Sequence, residues 1–509
     1  MAWLGGDGFD LCGNSNDIAL NVIDWSSVVN NVLSAAVNTR FGVGNCISLA
    51  SGASLLSLTS TTFANSTTIY VNFALTLIGD TFSSGGTTVK AGFILKDGAN
   101  NQVGVWWRNG GDLIVTNGLL GGTILATSSA FLNAGNFTNW HQYQVKVVIN
   151  NTTGTVEMRM DGAATDTFSS GSIDTRNGSS NNYCNVMNFN GNTINGGKMD
   201  DIFWFNDQGA APNTWAGDVR CVQLMPNNDS GTQQWTRTGG TALTVGDATT
   251  GSNAAMVTGT AYSVGLTTTP TQQQVGTLPS VVVNFTAGFT GNAKCALYTV
   301  SGTTITLVTN GVSNQVTNPA TGSNTFTFAT PPQIVRGLSY LLFVTTDASA
   351  TSSGKATGTK YTFSMTYGSG FPSSATITSG GTANTPSISG AITVANAAAV
   401  SELLEDADTS YVATNTASNA DLYLCDALSS TPNAVVCVQQ KFFYRMDDAG
   451  PHTVKQQMKS GATTVNGTTM SCSTSYQMQT DVYATDPNTS AAWTAGAVNA
   501  LQIGPVDVT

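Results

Sequence analysis

Short runs in which apolar and polar residues alternate recur along this chain, each bounded by clusters of Gly, Asn, Ser and Thr. In the first 235 residues they are IYVNFALTL (69–77), VKAGFILK (89–96), VGVWWR (103–108), DLIVT (112–116), WHQYQVKVVI (140–149) and GTVEMRMDG (154–162). A period of two sends successive side chains to opposite faces of a sheet, so each run predicts a strand with one face on a core. NNTTG at 150–154 is a hairpin turn by composition. The pattern continues with SVVVNF (280–285), AKCALYTV (293–300), NTFTF (324–328) and LSYLLFV (338–344). It resumes with ADLYLC (420–425), 434–444, HTVKQQM (452–458) and 475–483. Many short strands at this spacing predict an all-β chain of tandem β-sandwich or jelly-roll domains. Residues 1–235, 236–395 and 396–509 read as three units. Residues 236–269 read as a linker with some strand pairing, and 351–359 and 373–389 as long surface loops.

Charge sharpens this reading. Charged residues are 9% of the 509, against roughly 25% in an ordinary soluble domain. Glu stands only at Glu157, Glu402 and Glu405, and the other acids are Asp. Exposed helix faces are normally built from Glu, Lys, Gln and Arg, so few surface helices are expected. Hydrophobic residues are 41%, enough to build cores. A net charge of −11 with 18 Lys and Arg argues against a nucleic-acid partner. No apolar run reaches the ~18 residues of a membrane-spanning helix, so no membrane insertion is expected. The first residues lack the basic and apolar regions of a signal peptide. The eight Cys include no C-x-x-C pair, which predicts buried reduced thiols rather than a zinc site or a disulfide framework.

Particular residues carry a resemblance. Trp140, His141 and Tyr143 open a strand, a turn follows, and the next strand ends at Asp161-Gly162; this resembles the concanavalin A-like, laminin-G-like jelly roll. Residues 199–207 (MDDIFWFND) resemble its closing strand. The segment 209–222 (GAAPNTWAGDVRCV) is similar to a form found in tailed-bacteriophage virion proteins, with Trp204 and Ala216 departing slightly from that pattern. RFGVGNCI (40–47) resembles an early strand of the same domain. At the other end, DPNTSAAWT (486–494) followed by 498–504 resembles a C-terminal β module of such proteins, with 441–457 as its central hairpin. Residues 236–395 then read as an inserted sandwich, similar to carbohydrate-binding modules or viral jelly rolls. The acidic cluster Glu402, Glu405, Asp406 and Asp408 marks where the shared pattern restarts. The resemblance implies a structural protein of the virion, made in the bacterial host cytoplasm. Its implied place is a tail fibre, baseplate or tail appendage, with capsid decoration as the alternative. Its implied partners are other virion proteins, copies of itself and host-surface polysaccharide.

Candidate chemistry is sparse. Of the two histidines, His141 reads as a strand residue with its partner in the sheet, and His452 as a turn residue. Neither a Gly-x-Ser-x-Gly elbow, a His-Glu-x-x-His motif nor a P-loop is present. Glycoside hydrolysis needs two carboxylates on one site. Glu157 is the one Glu of the first domain and reads as a surface ion pair with Arg159. Asp200 and Asp201, neighbours on a strand, are expected on opposite faces. No enzyme is expected. The resemblance implies a Ca²⁺ site as the one cofactor option, with Asp200, Asp201 and Asp207 as its candidates. Trp106, Trp107, Trp204 and Trp215 are the candidate glycan or interface contacts, because sugar C–H faces pack on aromatic rings. On alternation, one of Trp106 and Trp107 faces inward and the other outward.

Overall fold

A computed structural model describes the chain except for residues 1–2, 8–24, 30–32, 35–38, 41–44, 52–53, 193–196, 209–212, 223, 265–267, 383, 401–409, 448–449 and 509. The chain is all-β. Among the described residues the helical elements are single turns at Gln272–Gln274, Tyr367–Ser369, Ala397–Val400 and Ala495–Asn499. The acidic cluster 402–408 lies outside the described residues. The chain forms two compact units. The first contains residues 1–224, 428–448 and 473–498; the second contains 225–427, 449–472 and 499–509.

The first unit is a β-sandwich. One antiparallel sheet runs Phe168–Ser169, Thr155–Met160, His141–Val148, Thr68–Thr76, Lys198–Asn206, Cys46–Ser48, Leu33–Ser34, with Trp3–Asp7 also paired to Lys198–Asn206. The other runs Ile124–Thr127, Leu113–Asn117, Asn100–Arg108, Val89–Asp97, Val186–Gly191, Ser57–Ser60, Trp25–Val29. Alternate residues of both sheets meet in one core. Ile69, Val71, Phe73 and Leu75 and then Tyr143, Val145 and Val147 come from the first sheet. Ala91, Phe93, Leu95, Val103, Val105 and Trp107 come from the second. The sequence runs therefore fall on strands with the expected inward set. Asp161 (φ 51°) and Gly162 (φ 72°) explain the strand-ending Asp-Gly, since both occupy the left-handed region a tight turn needs.

Two later segments also belong to the first unit. Val438–Tyr444 pairs with Gln477–Tyr483 as a separate two-stranded ribbon. This corrects the expected hairpin at 441–457. The Thr453–Ser460 strand pairs instead with Thr463–Asn466, Met470–Ser471 and Gln502–Asp507 in the second unit. The 486–494 motif is a side-chain-braced turn. Asp486 accepts from the backbone N–H of Asn488 (2.9 Å) and the hydroxyl of Thr489 (3.1 Å), and Trp493 donates to the Tyr483 carbonyl (2.9 Å).

The second unit holds another sandwich. One sheet is ordered Thr244–Asp247, Ile388–Ala391, Ser280–Phe285, Ala350–Lys355, Ser252–Met256. The other is ordered Ser374–Thr376, Thr304–Val312, Asn292–Ser301, Tyr340–Thr346, Thr260–Ser263, Thr359–Ser364, Thr378–Thr382. Val281, Val283, Phe285 and Ile388 meet Cys295, Leu297, Leu342 and Val344 between them. Residues 351–359 and 373–389, expected as loops, supply strands. Ser352 is buried with hydrogen bonds inside the sheet: it donates to the Asn284 carbonyl (2.8 Å) and accepts from the Ser387 N–H (3.2 Å). Residues 236–269 likewise carry sheet strands rather than a linker. A third sheet orders Pro226–Gln233, Asp421–Cys425, Gln502–Asp507, Thr453–Ser460, Thr463–Asn466. Its anchor is buried Asp421, which accepts from the N–H groups of Gln234 (2.6 Å) and Trp235 (2.8 Å), from Asn396 Nδ2 (3.0 Å) and from the Tyr423 hydroxyl (2.8 Å).

Candidate functional site: a strap on the outer sheet face

Register maps the outward residues of the first sheet. Tyr70 lies opposite Lys146 and Phe205, Asn72 opposite Gln144 and Phe203, and Ala74 opposite Gln142 and Asp200. On the neighbouring strand Glu157 stands beside Lys146 and Arg159 beside Gln144. Tyr70, Phe203 and Phe205 form an apolar patch on this face. Trp215, Ala216, Val219 and Cys221 pack onto it. Residues 213–222 thus form a strap lying back over the sheet from which the chain emerges; residues 209–212 lie outside the described residues.

Four groups hold the strap. Gln144 Oε1 accepts from the N–H of Ala216 (2.9 Å) and of Gly217 (3.2 Å), while its Nε2 donates to the Gly217 carbonyl. Asp201 Oδ1 accepts from the Cys221 N–H (2.9 Å). Arg40 reaches Asp201 (3.4 Å), Asp218 and the Val219 carbonyl (3.5 Å). The Arg159 guanidinium lies 4.2 Å from the Trp215 ring centroid, and Tyr70 meets that ring edge-on at 5.5 Å. Burial pushes the Asp201 carboxyl up to about 6, against the lowering pull of the Cys221 N–H, Arg40 and Arg220.

The candidate Ca²⁺ ligands are dispersed. Asp200 faces outward and its Oδ1 accepts from the Asp201 N–H (2.8 Å). Asp201 sits in a bulge, with φ 50° and the register slipping between Asp200 and Phe203. That extra residue breaks the alternation, which corrects the expectation of opposite faces: Asp201 too reaches the strap. Asp207 is exposed, and Gln208 Nε2 donates to it (2.8 Å). Seven residues of extended chain separate it from Asp200, roughly 20 Å. Among the described residues, no group of three or more His, Cys, Asp or Glu is placed to hold a metal ion.

The four tryptophans have separate places. Trp107 (1% exposed) and Trp204 (0%) are core residues. Trp106 faces outward yet is 2% exposed. It lies over Gly92 and Gly104, donates to Thr116 Oγ1 (2.8 Å) and packs with Val89, Ile94, Ile114 and Leu120. Trp215, clamped between Arg159 and Tyr70, keeps a half-buried ring at the strap's edge.

The acid–base groups are engaged in ion pairs and hydrogen bonds. His141 Nδ1 lies 2.7 Å from Asp161 Oδ2 and its Nε2 3.0 Å from the Asn136 carbonyl. Both neighbours accept, so the two bonds form together only while the ring is protonated. The Asp161 bond raises the His141 pKa, with burial opposing it and the Asn136 carbonyl adding to it. The Asp161 carboxyl lies below its ordinary range: burial raises it, but the bonds from His141 and the Gln142 N–H outweigh that. Glu157 pairs with Lys146 (3.0 Å) and Arg159 with Asp166 (2.9 Å). The expected Glu157–Arg159 pair is therefore replaced by pairs reaching across strand and turn.

No protein-family model matches the chain, and no curated protein matches it. Among solved structures it is similar to a Bacillus subtilis protein of unknown function with a galectin-like fold, at TM-score 0.23 and 10% identity over 35% of this chain and 87% of that one. It is also similar to the Trypanosoma rangeli sialidase, solved in complex with 2,3-difluoro-KDN, at TM-score 0.20 and 10% identity, over 36% of this chain. The match spans 29% of the sialidase.

Proposed function

We propose that this chain is a non-catalytic structural component of a tailed-bacteriophage virion: a tail fibre, baseplate or tail-appendage protein that packs against other virion proteins and copies of itself. The observation that supports this reading is the strap. The segment whose sequence is similar to phage virion proteins is an integral part of the jelly roll, held by Gln144, Asp201 and Arg40. The engaged His141 and the Lys146-paired Glu157 support the non-catalytic part. Mass spectrometry of gradient-purified virions tests the proposal. The chain is expected in stoichiometric amounts, and its absence from virions would sink the idea. Antibody labelling in electron micrographs then separates tail from capsid; label on the head makes it a decoration protein instead.

A second reading, an adhesin for host-surface glycans, is favoured by one observation. Of the four candidate tryptophans, Trp215 retains solvent contact. Glycan-array binding that Trp215→Ala abolishes would support it, and an array without signal would remove it.

A further inference from the structure

In an Asn-Gly dipeptide the glycine N–H can close on the preceding carboxamide, because no Cβ blocks the approach. The dipeptide occurs seven times, beginning at Asn109, Asn117, Asn177, Asn190, Asn195, Asn310 and Asn466. Asn195 lies outside the described residues. In four of the others the fold already occupies one of the two reacting groups. Asn109 Oδ1 accepts from the Thr88 N–H (3.0 Å). The N–H groups of Gly118, Gly191 and Gly467 donate to the carbonyls of Gln102 (3.2 Å), Leu56 (3.0 Å) and Gln456 (2.8 Å). Gly311 is buried within the Thr304–Val312 strand, where a Cβ would stand 2.7 Å from the Val308 carbonyl oxygen.

Asn177 differs. Among the described residues neither its carboxamide nor the Gly178 N–H has a hydrogen-bond partner. Gly178 is exposed, with φ 72°. The surrounding loop is held all the same, by Gln102, which is 0% exposed. Gln102 Oε1 accepts from the Asn177 N–H (2.7 Å). Its Nε2 donates to Ser179 Oγ (3.1 Å) and to the carbonyls of Asn181 (2.9 Å) and Tyr183 (3.2 Å). One buried amide thus fixes the backbone on both sides of the dipeptide and leaves the reacting pair open.

We propose that Asn177 is a self-modification site, where the Gly178 nitrogen closes on the carboxamide and the residue becomes Asp or isoaspartate. The bond from Gly178 N to Asn177 Cγ forms as the Cγ–Nδ2 bond breaks. The N–H proton leaves with Nδ2 as ammonia. Solvent water then opens the five-membered ring, its OH going to a carbonyl carbon and its H to the Gly178 nitrogen. Opening at Cγ gives Asp. Opening at the backbone carbonyl gives isoaspartate, whose main chain is one carbon longer. That extra atom carries Ser179, Asn181 and Tyr183 out of register with Gln102, so the loop slackens as the molecule ages. The inference is independent of the virion proposal.

Peptide mapping by mass spectrometry tests this on the full chain aged in mildly alkaline buffer. Amide-to-acid conversion is expected to run about tenfold or more faster at Asn177 than at Asn109, Asn117, Asn190 and Asn466, whose reacting groups are freed by local opening. Equal rates in the folded chain, or no conversion at Asn177, would overturn the proposal. In urea the difference should vanish; a difference that persists would trace the selectivity to neighbouring sequence and overturn the structural account. Hydrogen exchange over residues 176–183 is the second readout. It should quicken in the aged parent chain and stay constant in aged Asn177→Ser, and equal behaviour of the two would contradict the slackened loop.

Discussion

Gln144→Ala removes the strap's central attachment and leaves its other anchors in place. Three hydrogen bonds disappear: from Ala216 N–H, from Gly217 N–H and to the Gly217 carbonyl. Neutral hydrogen bonds contribute about 0.5–1.5 kcal/mol each. The strap groups are half-buried, so water replaces part of what is lost and the lower half of the summed range applies, about 2 kcal/mol. Trp215 under Arg159 and the Cys221–Asp201 bond remain, so the strap loosens without leaving the sheet. With two compact units, a single melting temperature mixes their responses. Hydrogen exchange read by mass spectrometry on peptides spanning 213–222 is the proper assay. About 2 kcal/mol corresponds to exchange roughly 30-fold faster at Ala216 and Gly217. Lys146→Ala is the control. It breaks a half-exposed pair with Glu157 (3.0 Å), where less than about 1 kcal/mol is expected. If Ala216 and Gly217 exchange as slowly in Gln144→Ala as in the parent chain, Gln144 does not hold the strap.

Three further outcomes are expected. The raised His141 pKa and lowered Asp161 pKa make their pair fully stabilising between about pH 4 and 6.5. Above that window the contribution is lost as His141 deprotonates through its raised folded pKa; below it, as Asp161 protonates through its lowered one. The Tm difference between the parent and His141→Gln should therefore shrink from pH 6 to pH 9, and a constant difference would contradict the pairing. In Gly104→Ala, the added methyl would lie 2.5 Å from the Gly118 carbonyl oxygen and Trp106 Nε1 and 2.7 Å from Thr116 Oγ1. A loss of about 1–3 kcal/mol is expected, and an unchanged Tm would place Trp106 elsewhere. Asp421→Ala strips partners from four donors at once, so urea unfolding should show a loss of about 3 kcal/mol or more, with Asp421→Asn milder.

Legibility in the sequence followed the chemistry of each strand's buried side. Where that side was Val, Ile, Leu or Phe, period two located the strand: SVVVNF became Ser280–Phe285, and VKAGFILK became Val89–Asp97. Where it was Ser or Gly, the strand looked like a loop, as in ATSSGK at Ala350–Lys355. Ser352 is hidden because its hydroxyl bonds within the sheet, which hydropathy does not register. The opposite facing of Trp106 and Trp107 followed from alternation, but which of them enters the core did not. The bulge at Asp201 did not, because one inserted residue leaves no trace in composition. Gln144 was missed as well. An outward Gln looks the same whether it meets water or a backbone 70 residues later.

The first unit draws on residues 1–224, 428–448 and 473–498, and the second is closed by 499–509. The Gln502–Asp507 strand sits between Asp421–Cys425 and Thr453–Ser460, inside its sheet rather than at an edge. On the ribosome, the first unit therefore waits for the Gln477–Tyr483 strand of its separate ribbon while roughly 270 more residues are made after the sandwich strands, about 15–55 s at usual rates of synthesis. Neither unit is whole until residues 473–509 have been made. Throughout that interval a large, weakly charged β surface stands incomplete beside other nascent copies, so the order of synthesis exposes this protein to premature association.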